Sequence, residues 1–225
     1  MSVNEQIFEL TKPDKDNAYF RIGVWDGDCQ QSRIAIVAIN PKNSITTENC
    51  SHEKFVSAIS CRRLFEELYQ EIKGQSKTRD NYDLFREKLK YPNIVETNIS
   101  AYPSSFNPRD ENHQIGIERS RSFRLLLRPE YLMISAGTPW SFMNSTGEIV
   151  LGSKTNLAPH HIQTSNFLMK WREIEIYRNS LFNNRPVTIM HIPQGSGRWL
   201  RGVFIKEASR LFQCLGDFLR QELRP

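Results

Sequence analysis

The sequence predicts a three-layer α/β/α sandwich around a central, mostly parallel four-stranded sheet. Two observations predict it. Short apolar, largely β-branched runs recur at Ile34–Ile39, Asn93–Thr97, Tyr131–Ala136 and Val187–Met190. Such unbroken runs read as strands buried on both faces, as in parallel sheets. Segments of helical period lie between them, and that alternation is the signature of an α/β fold. At 225 residues the chain reads as one domain, 1–225, long enough to bury a substantial core.

In chain order, Tyr19–Trp25 alternates and reads as an edge strand before the first core strand. Residues 53–73 place Phe55, Ile59, Leu64, Phe65, Leu68 and Ile72 at helical spacing. Asp80 or Asn81 is a candidate cap for a further helix to about Lys90, stopped by Pro92. Ala101–Pro108 is a loop by its turn chemistry, and Asp110–Leu127 is helical. After the strand at Tyr131–Ala136, Thr138-Pro139 opens a short helix, with threonine as cap and proline in the first turn. Residues 147–165 read as polar and irregular. Ile174–Tyr177 and Val187–Met190 read as strands around a turn at Asn183-Asn184. Residues 199–223 carry the clearest apolar stripe, from Leu200 to Leu219.

The ends of the core strands are the informative places. Ile34–Ile39 runs into Asn40-Pro41, the next strand into Asn98, and Val187–Met190 into His191, then Pro193-Gln-Gly-Ser-Gly-Arg198. Ligands of open parallel sheets bind outside the carboxyl ends of the strands. Two asparagines, a histidine and a glycine-rich basic loop at one crevice would suit a planar, hydrogen-bonding, anion-forming ligand. A nucleobase fits that description.

Bulk chemistry narrows the classes. Thirty basic against twenty-five acidic residues give a net charge of +5, which suits a polyanion-binding face or a solvated surface equally. Cys29, Cys50, Cys61 and Cys214 form no C-x-x-C pair, which argues against zinc or iron–sulfur centres and for reduced thiols. His160-His161 lacks a third ligand at metal spacing, so the expectation is no metal and no cofactor. The first residues carry no signal-like pattern, and no stretch approaches eighteen apolar residues. A cytoplasmic monomer without membrane contacts is expected.

These motifs resemble, in order, those of the uracil-DNA glycosylase superfamily. Ala38-Ile39-Asn40-Pro41 is similar to the family's first motif, whose polar residue positions the hydrolytic water. Thr97-Asn98 resembles the strand end whose asparagine reads the flipped base. Tyr131–Gly137 with Pro139-Trp140 resembles the apolar strand and small-residue turn that support the sheet. His191-Ile-Pro193-Gln-Gly-Ser196-Gly resembles the His-Pro-Ser motif, whose histidine faces the departing base and whose loop enters the minor groove. The motifs span residues 34 to 200. Lys42 stands where glycine usually follows Asn-Pro, Ile192 separates His191 from Pro193, and Gln194-Gly195 lengthen the loop.

The resemblance implies a monofunctional glycosylase that flips a base from double-stranded DNA and hydrolyses its N-glycosidic bond. Asn40 and His191 are then the catalytic pair, His191 being read as a neutral donor to the departing base. Asn98, Phe55, Tyr102 and Ile39 border the base. Lys42, Ser104, Ser105, Gly195, Ser196, Gly197 and Arg198 meet the DNA backbone. The departures fit a modified pyrimidine, as in the branch that excises glucosylated hydroxymethylcytosine in phage defence; uracil or mismatch repair is the alternative. A non-catalytic DNA-binding module, a small-molecule nucleotide enzyme and a Lys42 Schiff-base lyase also stay open. Arg119, Arg121, Arg124 and Arg128 read as one solvated helix face, and Trp140 as core.

Overall fold

A computed structural model of the chain describes residues 2–41, 43–74, 77–90, 93–135, 137–156, 174–192 and 205–223. The helices are α1 (Val3–Leu10), α2 (His52–Ile59), α3 (Arg62–Lys73), α4 (Lys77–Leu89), α5 (Glu111–Leu126), α6 (Thr138–Ser145) and α7 (Ile205–Glu222). The strands are β1 (Gly23–Val24), β2 (Ile34–Ala38), β3 (Ile94–Asn98), β4 (Tyr131–Ser135), β5 (Ile149–Val150), β6 (Ser153–Asn156), β7 (Glu175–Phe182) and β8 (Arg185–Ile192).

The sheet runs β1-β3-β2-β4-β8-β7-β5, with β6 also paired to β7. Strand β2 is parallel to β3 and β4, and β4 is parallel to β8. The expected four-stranded parallel sheet is therefore the centre of a larger mixed sheet, of eight strands among the described residues. Antiparallel β1 closes one edge; β7, β5 and β6 extend the other. Strands β1 and β7 fall where an edge strand at Tyr19–Trp25 and a strand at Ile174–Tyr177 are expected, whereas β5 and β6 escape a hydropathy reading because β5 is two residues and β6 is Ser-Lys-Thr-Asn.

Side-chain alternation divides the interior into two layers. Ile34 and Ile36 face Tyr82, Phe85 and Leu89 of α4 and Leu211, Phe212, Leu215 and Leu219 of α7. Ala35 and Val37 face Phe55, Ile59, Phe65, Phe123 and Met143, contributed by α2, α3, α5 and α6. Burial on both faces is why β2 reads as an unbroken apolar run.

Several local expectations are corrected. The helix expected over 53–73 is two helices. The Ser60 hydroxyl bonds back to the Val56 carbonyl at 2.8 Å, and Asp26 accepts from the Arg62 amide at 2.8 Å, capping α3 from outside. Helix α4 begins at Lys77, ahead of the Asp80 or Asn81 cap expected. Gly137, at φ 84°, caps α6 in place of Thr138, with Pro139 in the first turn. The stretch expected to be irregular contains β5 and β6. The Asn183-Asn184 turn joins β7 to β8 with both residues at positive φ (49° and 61°), the geometry of a tight hairpin.

The arginine face is also corrected. Arg121 and Arg128 are exposed, but Arg124 is fully buried, and Arg119 lies over the Phe20 ring and donates to the Lys12 carbonyl at 2.7 Å. Among the described residues, no helix is long and apolar enough to cross a membrane.

Candidate active site

The chain leaves β2 at Ala38 and stays beside the chain leaving β3. The Ile99 amide donates to the Ala38 carbonyl at 2.9 Å and the Ser100 amide to that of Ile39 at 3.1 Å. Asn40 is thereby set against the loop that follows β3. Its Nδ2 donates to the Ser104 carbonyl and, at 3.4 Å each, to those of Tyr102 and Pro41. Three carbonyls around one end of an amide require that end to be the nitrogen. The acceptor Oδ1 is left with no hydrogen bond among the described residues.

The loop itself is pinned by His113 on the first turn of α5. The Ser105 carbonyl lies 3.0 Å from Nε2, so Nε2 carries a proton, and the Ser104 hydroxyl lies 2.7 Å from the same atom. Nδ1 meets the Ser100 hydroxyl at 3.1 Å. Tyr102 and Phe106 meet the ring edge-on. Tyr102 is half-buried, and burial raises its phenol pKa against the hydrogen bond from Asn112. Ser105 is exposed and Ser104 half-buried.

Asn98 closes β3 directly opposite Ala38. Its side chain makes no hydrogen bond among the described residues, while its carbonyl accepts from Arg124 Nη1 at 2.5 Å. Arg124 also forms a bidentate pair with Glu148, at 2.9 and 2.7 Å, and both side chains are essentially inaccessible. A buried ion pair therefore fixes the end of β3 from beneath.

His191 lies within β8, opposite Ile134 of β4 on one side and Glu175 of β7 on the other. Trp140 stacks on its ring, centroids 4.2 Å apart and 17° from parallel. Its Nδ1 is 3.0 Å from the Glu175 carboxylate. Glu175 also accepts from Lys154 and from the Tyr177 hydroxyl, the latter at 3.0 Å. Partial burial raises the pKa of the Glu175 carboxyl, but the hydrogen bonds from Lys154, His191 and Tyr177 outweigh it and hold the group at about 2. His191 Nε2 is buried and has no hydrogen-bond partner among the described residues.

The expected site residues thus fall into distinct places. Asn40, Tyr102 and Ser104 are brought together. Strands β2 and β8 are separated by β4 alone, roughly 10 Å, but His191 is level with Val37 and Asn40 lies three residues farther along the chain, past the end of β2. Asn98 is not brought to His191: β3 and β8 are three strand spacings apart, roughly 14 Å. Register also puts the two side chains on opposite faces, since His191 aligns with Ile134 and Val37, and Val37 pairs Thr97 rather than Asn98. Ile39 is half-buried against the core. Phe55 is wholly buried and stacks on Tyr19 at 4.6 Å, so it is core and presents no face to a base. Lys42, Gly195, Ser196, Gly197, Arg198 and the His160-His161 pair lie outside the described residues.

Glu175, Tyr177, Lys154 and His113 escape the sequence reading, and Trp140, read as core, is half-buried against His191. Among the described residues, no cluster of three His, Cys, Asp or Glu is set to hold a metal ion. A pocket of about 160 Å³ lies away from these residues, at the amino-terminal ends of β4 and β8, lined by Leu127, Glu130, Phe182, Arg185 and Val187 among others. No family model and no curated protein matches the chain.

Proposed function

We propose that this chain is a DNA glycosylase that hydrolyses the N-glycosidic bond of a modified pyrimidine flipped from duplex DNA. The observation that carries the reading is the orientation of Asn40. Three carbonyls hold its amide nitrogen, which leaves Oδ1 as an acceptor for one proton of a water. A water held that way turns an oxygen lone pair toward the sugar carbon. His191 supplies the opposite pole, a ring nitrogen without a protein partner among the described residues. Inverting glycoside hydrolysis uses two poles of this kind. There, water enters on one side of the sugar and the leaving group departs on the other.

Tyr102, beside Asn40, offers the base a half-exposed ring. Lys42, Ser104, Ser105 and the Gly195–Arg198 loop are the proposed backbone contacts, and no cofactor is required. The experiment compares wild type with Asn40→Ala on duplexes carrying uracil, hydroxymethyluracil or glucosylated hydroxymethylcytosine, each read by alkali cleavage of abasic sites. Wild type should cleave one of them. Asn40→Ala should lose about 100-fold or more of that rate while keeping its DNA affinity. Tight binding with no cleavage of any duplex would instead identify a binding module.

A further inference from the structure

We propose that Glu175 makes His191 the general acid of base release: the two act as a carboxylate–imidazolium pair, and Nε2 hands its proton to the departing base. The inference rests on the glycosylase reading and assigns the direction of proton transfer within it. A carboxylate can only accept, so the 3.0 Å contact requires a proton on His191 Nδ1. With a single ring proton, Nε2 is then an acceptor and cannot donate to a base. A neutral donor, the role implied by the resemblance, is therefore incompatible with this hydrogen bond. Donation from Nε2 requires the second ring proton, and Glu175 supplies the compensating charge.

The surroundings suit that role. Glu175 and Tyr177 face His191 from β7, Lys154 approaches Glu175 from β6, the uncharged Trp140 covers the ring from α6, and Ile134 is its register neighbour on β4. Glu175 is held ionised throughout the neutral range. Trp140 adds a stacked aromatic face, which favours a cationic ring.

In the step, the bond between C1′ and the base nitrogen breaks and its electron pair stays on the base. The proton on Nε2 moves to the base, which leaves neutral. Water forms the new bond to C1′ and releases its own proton to solvent, and His191 regains a proton before the next turnover. Acid assistance helps most when the base anion is a poor leaving group. That points to a cytosine-type base, whose N1 anion is more basic than that of uracil and whose O2 and N3 can take a proton.

Two readouts test the pair. In ¹⁵N spectra of histidine-labelled protein, His191, identified by the signal lost in His191→Gln, should carry its proton on Nδ1 at high pH. A proton on Nε2 there overturns the inference whatever the activity. Single-turnover base release from the glucosylated hydroxymethylcytosine duplex should be flat at low pH and fall as pH rises through the imidazolium titration. Glu175→Gln keeps the acceptor oxygen but removes the charge, so the falling limb should move to lower pH. At pH 8 the rate should drop about 10-fold or more, and be largely restored at acidic pH. Lys154→Gln removes the competing cation and should move the limb up. Cleavage whose pH profile is unchanged in both variants refutes the pair and leaves the glycosylase reading standing. No cleavage of this duplex, with cleavage of another, refutes the assignment to a cytosine-type base. No cleavage of any duplex refutes the glycosylase reading and the acid role with it.

Discussion

At the scale of single residues, strand-end position is what made Asn40, Asn98 and His191 legible: a polar residue closing an apolar run stands out without any contact being known. Their partners were not legible. Arg124 looks like one of four solvated helix arginines, because nothing local marks Glu148, 24 residues later, as its partner. The pair is fully buried and also holds the Asn98 carbonyl. Removing one member of a buried pair strands the other charge, which costs about 3–5 kcal/mol. Glu148→Ala should therefore lower unfolding stability by that amount in urea titration. A loss near zero would mean that the guanidinium finds other partners.

At the scale of elements, helices and core strands were largely readable, and register was not. The hairpin turn sets Phe182 opposite Arg185, and an unbroken ladder from there would put Ile176 opposite His191. A bulge between Tyr177 and Ser180, with Asn179 at φ 56°, slips the ladder by one and delivers Glu175 instead. No periodicity announces such a slip, so the Glu175–His191 contact had no sequence signal. Helix α7 shows the converse: its apolar stripe was plain, and its close contact with α4 is set by one residue. A Cβ at Gly216 would lie 2.4 Å from the Phe85 carbonyl and 2.8 Å from Lys88 Cβ. Gly216→Ala should push the two helices apart and cost about 1–3 kcal/mol, measured as a lower urea midpoint. Because α4 and α7 lie on one face of the sheet and Trp140 and His191 on the other, base release per folded molecule should be unchanged.

At the scale of the molecule, the α/β class followed from alternation and from strands buried on both faces. The full mixed sheet, eight strands among the described residues, did not: β1 and β7 fall on expected strands, but β5 is two residues long and β6 is polar. What the sheet adds is spacing. Asn40 follows β2 and His191 lies in β8, with β4 between the two strands, whereas Asn98 stands a further strand away. In the proposed reaction water is the nucleophile and the glycosidic bond is hydrolysed. The most direct measurement is base release in H₂¹⁸O, with mass spectrometry of both products under single-turnover conditions. Hydrolysis should give free base, one ¹⁸O at C1′ of the abasic sugar and an intact strand. The sugar aldehyde also exchanges its oxygen with the labelled water, so the product is reduced immediately after quenching and unlabelled abasic DNA held in H₂¹⁸O for the same time sets the exchange background. Release of base through a borohydride-trappable covalent adduct, or no release from any duplex, would contradict hydrolysis.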